Sequence, residues 1–324
     1  MNTTRILITT LTVILTSASA ALAATVNFDV PALILNQSVN GQGGWTVQDS
    51  FGNSGGLFDE KVVDVGGNRV WRISNAVTAT SYSNQPFSQT APVVAGETGA
   101  GLYNNYGNNH LSPNSPPLSS ATAASPYFYG AWDFKSATGA AQSGISMAIS
   151  PSAKQSTLRE SFVQIVDPGA GGFNVNFFDT TGTGFNFTSL ATGLSYSDWH
   201  TLEMFIEFVD GIGPGAAGFE AGNDIVRILI DGALVHTGTT WESFFYNVND
   251  AGIPAPSARA VDSLLFRQSG TAVPGNAGGG LYFDNIIVSN AIFAAAIQTP
   301  EPSTFALAAI GLMGIARRRR RMMA

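Results

Sequence analysis

The chain has 324 residues, with 15 Lys+Arg, 22 Asp+Glu, 3 His and no Cys, giving a formal net charge of −7 with only 11% of residues charged. This balance excludes a charged disordered chain, and 36 glycines without a three-residue period exclude a collagen-like one. The absence of Cys removes thiolate metal sites, Cys nucleophiles and a disulfide framework together.

The N-terminus reads as an export signal over residues 1–24: Arg5, the apolar run Ile6–Leu15, then Ala20-Ala21-Leu22-Ala23-Ala24. Small residues in the A-x-A frame predict cleavage by signal peptidase near Ala23 or Ala24. An uncleaved anchor is the other reading, but about ten apolar residues rise only about 15 Å as a helix against a hydrocarbon core of about 30 Å.

Residues 25–298 follow as one predicted β-domain, of a size that buries a core without disulfides. Period-2 alternation predicts strands at Lys61–Val65, Val70–Ser74, Phe128–Phe134, Ile145–Ile149, Phe162–Val166 and Phe173–Phe177. It continues through Leu202–Phe208, Val261–Arg267 and Leu281–Val288. Between Ser81 and Pro126 the composition turns to Ser, Asn, Gly and Pro, which predicts a long surface excursion over about 81–126. Ile225–Ile230, Asp231-Gly232 and Ala233–His236 predict a hairpin closed by a type I′ turn, whose central residues both need positive φ. No stretch between the two termini has a helical period, so the fold class is all-β, an antiparallel sandwich of jelly-roll type.

The last residues form a second terminal signal. Pro300-Glu301-Pro302 precedes the apolar stretch Ser303–Ala316 and the cluster Arg317, Arg318, Arg319, Arg320 and Arg321. Pro302 suits the first turn of a helix, and fourteen residues rise about 21 Å, a short membrane span that thinning or snorkelling must complete. The arginines orient the extreme C-terminus to the cytoplasm, with everything before Pro300 outside. Taking the two termini away leaves 9 basic and 21 acidic residues in the body, a formal charge of −12 that repels phosphate backbones. Nucleic acid is not an expected partner.

Two resemblances follow from these residues. Pro300-Glu301-Pro302, the apolar helix and the terminal Arg cluster resemble the PEP-CTERM sorting signal over residues 299–324. That resemblance implies transient anchoring in the inner membrane of a Gram-negative bacterium, processing by an exosortase-type enzyme near Pro300, Glu301 and Pro302, and release to the cell surface or exopolysaccharide matrix. Asp198-Trp199-His200-Thr201-Leu202-Glu203, the Val226–Val235 hairpin and the closing strand Leu281–Val288 resemble the concanavalin A-like lectin/glucanase, or laminin-G-like, sandwich. This second likeness informs the fold more than the function, because such sandwiches host lectins, adhesion modules and enzymes alike.

Chemistry is sparse in the sequence. Glycoside hydrolysis needs two carboxylates about 5–9.5 Å apart, whereas Glu203 and Glu207 lie about 13 Å apart along one strand, on the face opposite Leu202, Met204 and Ile206. The histidines His110, His200 and His236 form no HExxH, and neither a G-x-S-x-G elbow nor a phosphate loop is present. For a sugar platform the available types are Trp45, Tyr82, Tyr103, Tyr106, Trp241 and Tyr246, of which Trp241 and Tyr246 are the expected exposed pair. Trp71, Trp132 and Trp199 are expected in the core. Asp29 and Asp284 would form a structural Ca²⁺ site if the first and last strands pair, and no other cofactor is expected. The expected function is that of a non-enzymatic exported surface protein binding a polysaccharide or another surface partner. A glycan hydrolase or lyase and a passive coat protein are the alternatives.

Overall fold

The structure is a computed structural model that describes residues 24–26, 28, 33–42, 45–47, 58–77, 87–90, 127–152, 161–181, 184–208, 224–241, 263–268 and 270–289. In chain order its strands are β1 (Ala24–Val26), β2 (Trp45–Val47), β3 (Glu60–Val65), β4 (Asn68–Ile73) and β5 (Phe87–Thr90). Then come β6 (Tyr127–Ser136), β7 (Ser146–Ser152), β8 (Phe162–Val166), β9 (Phe173–Thr181) and β10 (Gly184–Leu194). The last are β11 (His200–Glu207), β12 (Ile225–Ile230), β13 (Ala233–Thr239), β14 (Ser263–Gln268) and β15 (Leu281–Ser289). The helical element among the described residues is the single 3-10 turn Pro274–Asn276.

All pairings are antiparallel and form two sheets. The eight-stranded sheet runs β13-β12-β11-β6-β15-β4-β3, with β1 beside β15, and the seven-stranded sheet runs β10-β9-β8-β7-β14-β5-β2. Each sheet turns one face inward, as the alternation predicts: Phe173, Val175 and Phe177 of β9 are fully buried, and so are Leu202, Met204 and Ile206 of β11. At the centre Trp45, Trp71, Phe266 and Phe283 pack with ring centroids 5.0–5.6 Å apart, and Trp132 joins Phe266 at 6.0 Å. Burial of each ring contributes about 2–3 kcal/mol, which is how a chain without disulfides holds two sheets together.

Turn chemistry sets the register of the hairpin. Asp231 has φ 52° and Gly232 φ 76°, the two positive values of the type I′ turn joining β12 to β13. The Asp231 carboxylate also accepts the Thr201 N–H at 2.9 Å and meets His200 Nδ1 at 2.9 Å, latching the turn onto the start of β11. On β15 a bulge between Asp284 and Ile287 adds one residue against β6, with Asn285 at φ 47°. Without that residue the alternation set by Leu281 and Phe283 would carry Ile286 and Val288 to the outer face; with it both are fully buried. The bulge also marks where the neighbour of β15 changes from β4 to β1.

Adjacent carboxyls on β3 and just before it have opposite environments. Asp59 is held well below the usual carboxylate range by its hydrogen bonds to Arg72, at 2.5 and 3.0 Å, with Ser74 Oγ and the Gly278 N–H also donating to it. Glu60, pushed up by burial, accepts the Trp71 indole N–H at 3.0 Å and the Val39 N–H at 3.3 Å.

Several expectations change on seeing the fold. Phe87–Thr90 lies within the segment read as a surface excursion, yet it forms β5 between β14 and β2. Strands β1, β2 and β10 were not read from the sequence either: two are three residues long, and β10 is rich in Gly, Asn, Ser and Thr. The signal segment upstream of Ala24 and the predicted helix 303–316 lie outside the described residues, among which no helix is long and apolar enough to cross a membrane.

Candidate functional site

Outer-facing residues of the seven-stranded sheet form two cross-strand rows. One row runs Phe187 of β10, Phe178 of β9 and Phe162 of β8, and the next runs Ser189, Asn176, Gln164, Ala148 and Arg267 across β10, β9, β8, β7 and β14. Register alone produces this arrangement, because period-2 alternation brings every second residue of each strand to one face.

The aromatic row is tightly built. Phe162 and Phe178 stack with centroids 4.6 Å apart and an interplanar angle of 15°, and Phe187 meets Phe178 edge-on at 4.8 Å. Trp241, which follows β13, packs against both Phe162 and Phe178 at 5.5 and 5.7 Å, and its indole N–H donates to the Phe178 carbonyl at 2.8 Å. Phe187 is 52% exposed, while Phe162 is buried beneath it. Beside the rings, Gln164 Nε2 donates to Ser146 Oγ at 2.8 Å, leaving its carbonyl oxygen and the half-buried Asn176 amide at the face. An apolar ring bordered by amides offers stacking to C–H surfaces and hydrogen bonds to hydroxyls, the two contacts a sugar makes.

The aromatic candidates sort differently from expectation. Trp241 is only 8% exposed, so it supports the platform from behind and presents no face to solvent, since its indole N–H finds a partner only by turning inward. Trp45 is fully buried at the centre of the core. Trp199, expected inside, is 38% exposed because it precedes β11, and Lys135 Nζ sits 5.0 Å above its ring. Trp71 and Trp132 are fully buried, as expected. Tyr82, Tyr103, Tyr106, Tyr246 and His110 lie outside the described residues. Phe187 escaped sequence reading because β10 was not recognised, and Phe178 because the predicted strand Phe173–Phe177 stops one residue short of it; the Phe-x-Phe spacing of Phe185 and Phe187 was the signal that would have found β10.

The eight-stranded sheet carries the other acidic candidates on its outer face. Glu203 accepts the Tyr129 hydroxyl at 2.7 Å, and burial together with that carboxylate pushes the Tyr129 phenol well above its ordinary range. Glu207 pairs with Arg227 at 3.1 Å. The expectation that both point away from the core holds, and each is engaged by a neighbour on its own sheet.

For the metal candidates, β1 pairs with β15 as the Ca²⁺ reading required, but Asp29 lies outside the described residues. Asp284 is buried and accepts from Asn68 Nδ2 at 2.9 Å and from the Asn285 N–H at 2.8 Å. Asp133, opposite it on β6, accepts from Thr201 Oγ1 at 2.6 Å and Asn285 Nδ2 at 2.8 Å. Donors on the sheet meet all four oxygens of this pair, and the described residues hold no cluster of three or more His, Asp or Glu. Pro300, Glu301, Pro302 and Arg317–Arg321 lie outside the described residues.

Comparison with known proteins bears mainly on the C-terminus. Residues 298–321 match the PEP-CTERM protein-sorting motif, so the chain carries a sorting motif at its C-terminus. Such a motif implies an exported protein, anchored in a membrane and then sorted to the surface by an exosortase-type system. No curated protein matches the chain. Among solved structures it is similar to the Bacillus licheniformis beta-glucanase, at 13% identity over 83% of this chain and 98% of that one, with a TM-score of 0.39. The endo-1,3-beta-glucanase from Streptomyces sioyaensis is 14% identical over 83% and 95%, with a TM-score of 0.41. Alginate lyase vAL-1 from Chlorella virus is 13% identical over 79% and 97%, with a TM-score of 0.40.

Proposed function

We propose that the chain is a non-enzymatic, exported surface protein that binds glycan on the outer face of the seven-stranded sheet. The observation that carries this reading is the exposed Phe187 ring standing on stacked Phe178 and Phe162, with the Asn176 and Gln164 amides in the adjoining row. Export and sorting rest on the two terminal signals: signal peptidase cuts near Ala23 or Ala24, an exosortase-type enzyme acts near Pro300-Glu301-Pro302, and until then the apolar stretch Ser303–Ala316 anchors the precursor in the inner membrane of a Gram-negative host, with Arg317–Arg321 on its cytoplasmic side. The mature protein then resides at the cell surface or in the exopolysaccharide matrix.

Support for a binding role comes from how Glu203 and Glu207 are used. One holds a tyrosine and the other an arginine, on the face away from the aromatic row. Among the described residues neither is paired with a second carboxylate across a groove, the geometry that sugar hydrolysis requires.

Intact mass of the protein from its host, followed by a glycan array on the processed chain, tests the proposal. Loss of both termini and retention of a glycan, with no reducing ends or unsaturated products released on incubation, is the expected result. Product release would turn the reading to a hydrolase or lyase. A processed chain that retains no glycan would favour a coat component.

A further inference from the structure

The edges of the two sheets are not alike. A free strand edge exposes unpaired backbone N–H and C=O groups, and proteins blunt such edges with charge, shortness or bulges. On the eight-stranded sheet, β3 carries Glu60, Lys61 and Asp64 within its six residues. At the other end of that sheet, β13 carries a bulge opposite Ile228 and Leu229. On the seven-stranded sheet, β2 is only three residues long. The fourth edge has none of these devices along half its length. β10 spans eleven residues without Lys, Arg, Asp, Glu or Pro, and Gly184–Ser189 pairs with β9 in unbroken register, its bulges being confined to Ser189–Leu194. Among the described residues no strand is hydrogen-bonded to its outer side.

We infer that the Gly184–Ser189 edge of β10 is a self-association site, pairing antiparallel with the same segment of a second copy to join two seven-stranded sheets into one. A second copy suits this edge for three reasons. The chain has a net charge of −7, so its copies repel over most of their surface, and an uncharged strand is where they approach without Coulomb cost. Antiparallel pairing of a strand with itself is two-fold symmetric, so the two edges complement each other without a second evolved surface. Phe187, 52% exposed, stands on this strand and gains a cross-strand neighbour from the second copy on the same face, its outward ring face staying open. The pairing does not depend on the glycan reading, although it places two aromatic rows on one continuous face and makes a glycan contact bivalent.

Because the chain has no Cys, one introduced cysteine is the only thiol in the molecule. Full-length chains carrying Phe185→Cys, Phe187→Cys or Ser189→Cys, with Asp64→Cys on β3 as the control, are oxidised mildly and resolved without reductant. Two-fold pairing predicts a band of twice the chain mass that is strongest at one of the three β10 positions, since a disulfide forms only when Cα atoms lie within about 7 Å. The control gives no such band. Adding Thr188→Lys, an inward-pointing edge charge, returns the best cross-linker to single mass. Equal cross-linking at all three β10 positions, or as much from Asp64→Cys, overturns the inference, and the scan stands even if the lysine variant misfolds. Glycan retention by a monomeric Thr188→Lys chain, measured alongside, separates failure of the seam from failure of the glycan site.

Discussion

On the outer face of the eight-stranded sheet Tyr129 donates to Glu203 at 2.7 Å and Arg227 to Glu207 at 3.1 Å, so the polar groups there answer one another. On the outer face of the seven-stranded sheet Phe162, Phe178 and Phe187 lean on one another instead, with amides in the next row. Both faces come from the same alternation of inward apolar and outward residues. The difference shows where to look for a ligand: a face whose charges are paired internally has little to offer, whereas an exposed ring backed by buried rings is rigid and unfinished.

Four substitutions break or sharpen that contrast. Trp241→Ala removes the support behind the aromatic row and the indole donor to the Phe178 carbonyl; stability falls by about 3–4 kcal/mol, read by urea denaturation, and glycan retention falls with it. Phe187→Ala costs only about 1 kcal/mol of stability because the ring is already half exposed, yet it weakens glycan binding about tenfold or more, read by affinity electrophoresis. Equal binding by this variant would move the site off this face.

Tyr129→Phe, on the opposite face, costs about 1 kcal/mol and leaves glycan binding intact. Its pH dependence has a definite sign. A phenol raised in the folded state contributes stability that is complete below the ordinary tyrosine range and fades as pH rises toward its folded value, so the gap between parent and variant closes above about pH 10. A gap that widened there would contradict the Tyr129–Glu203 hydrogen bond. The smallest effect is expected of Arg227→Ala: the pair is about one-third exposed, so melting shifts by less than about 1 kcal/mol and the shift shrinks in added salt.

Much of the sandwich was legible in the sequence because its longer strands state their period plainly. Phe162–Val166 matches β8 end to end, and Asp231-Gly232 forms the type I′ turn its residue types predict. β5 and β10 were not legible, for a physical reason: four residues, or a strand rich in Gly, Asn, Ser and Thr, gain their place from neighbours already in the sheet and little from their own alternation. Trp199 and Trp241 exchanged expected roles on the same account, since a residue just outside a strand has its exposure set by what packs beside it.

By itself the sequence determined the sorting address of this protein, because the C-terminal motif is local: a Pro-Glu-Pro motif, an apolar run and an arginine cluster act as one linear segment. It also determined the class of fold, because period-2 alternation and turn residues act over a few positions at a time. Only the tertiary structure decided which aromatics face outward together, how the bulge on β15 returns Ile286 and Val288 to the core, and that β10 ends its sheet among the described residues. Those features depend on register between strands far apart in the chain, and register is settled by packing across the sheets.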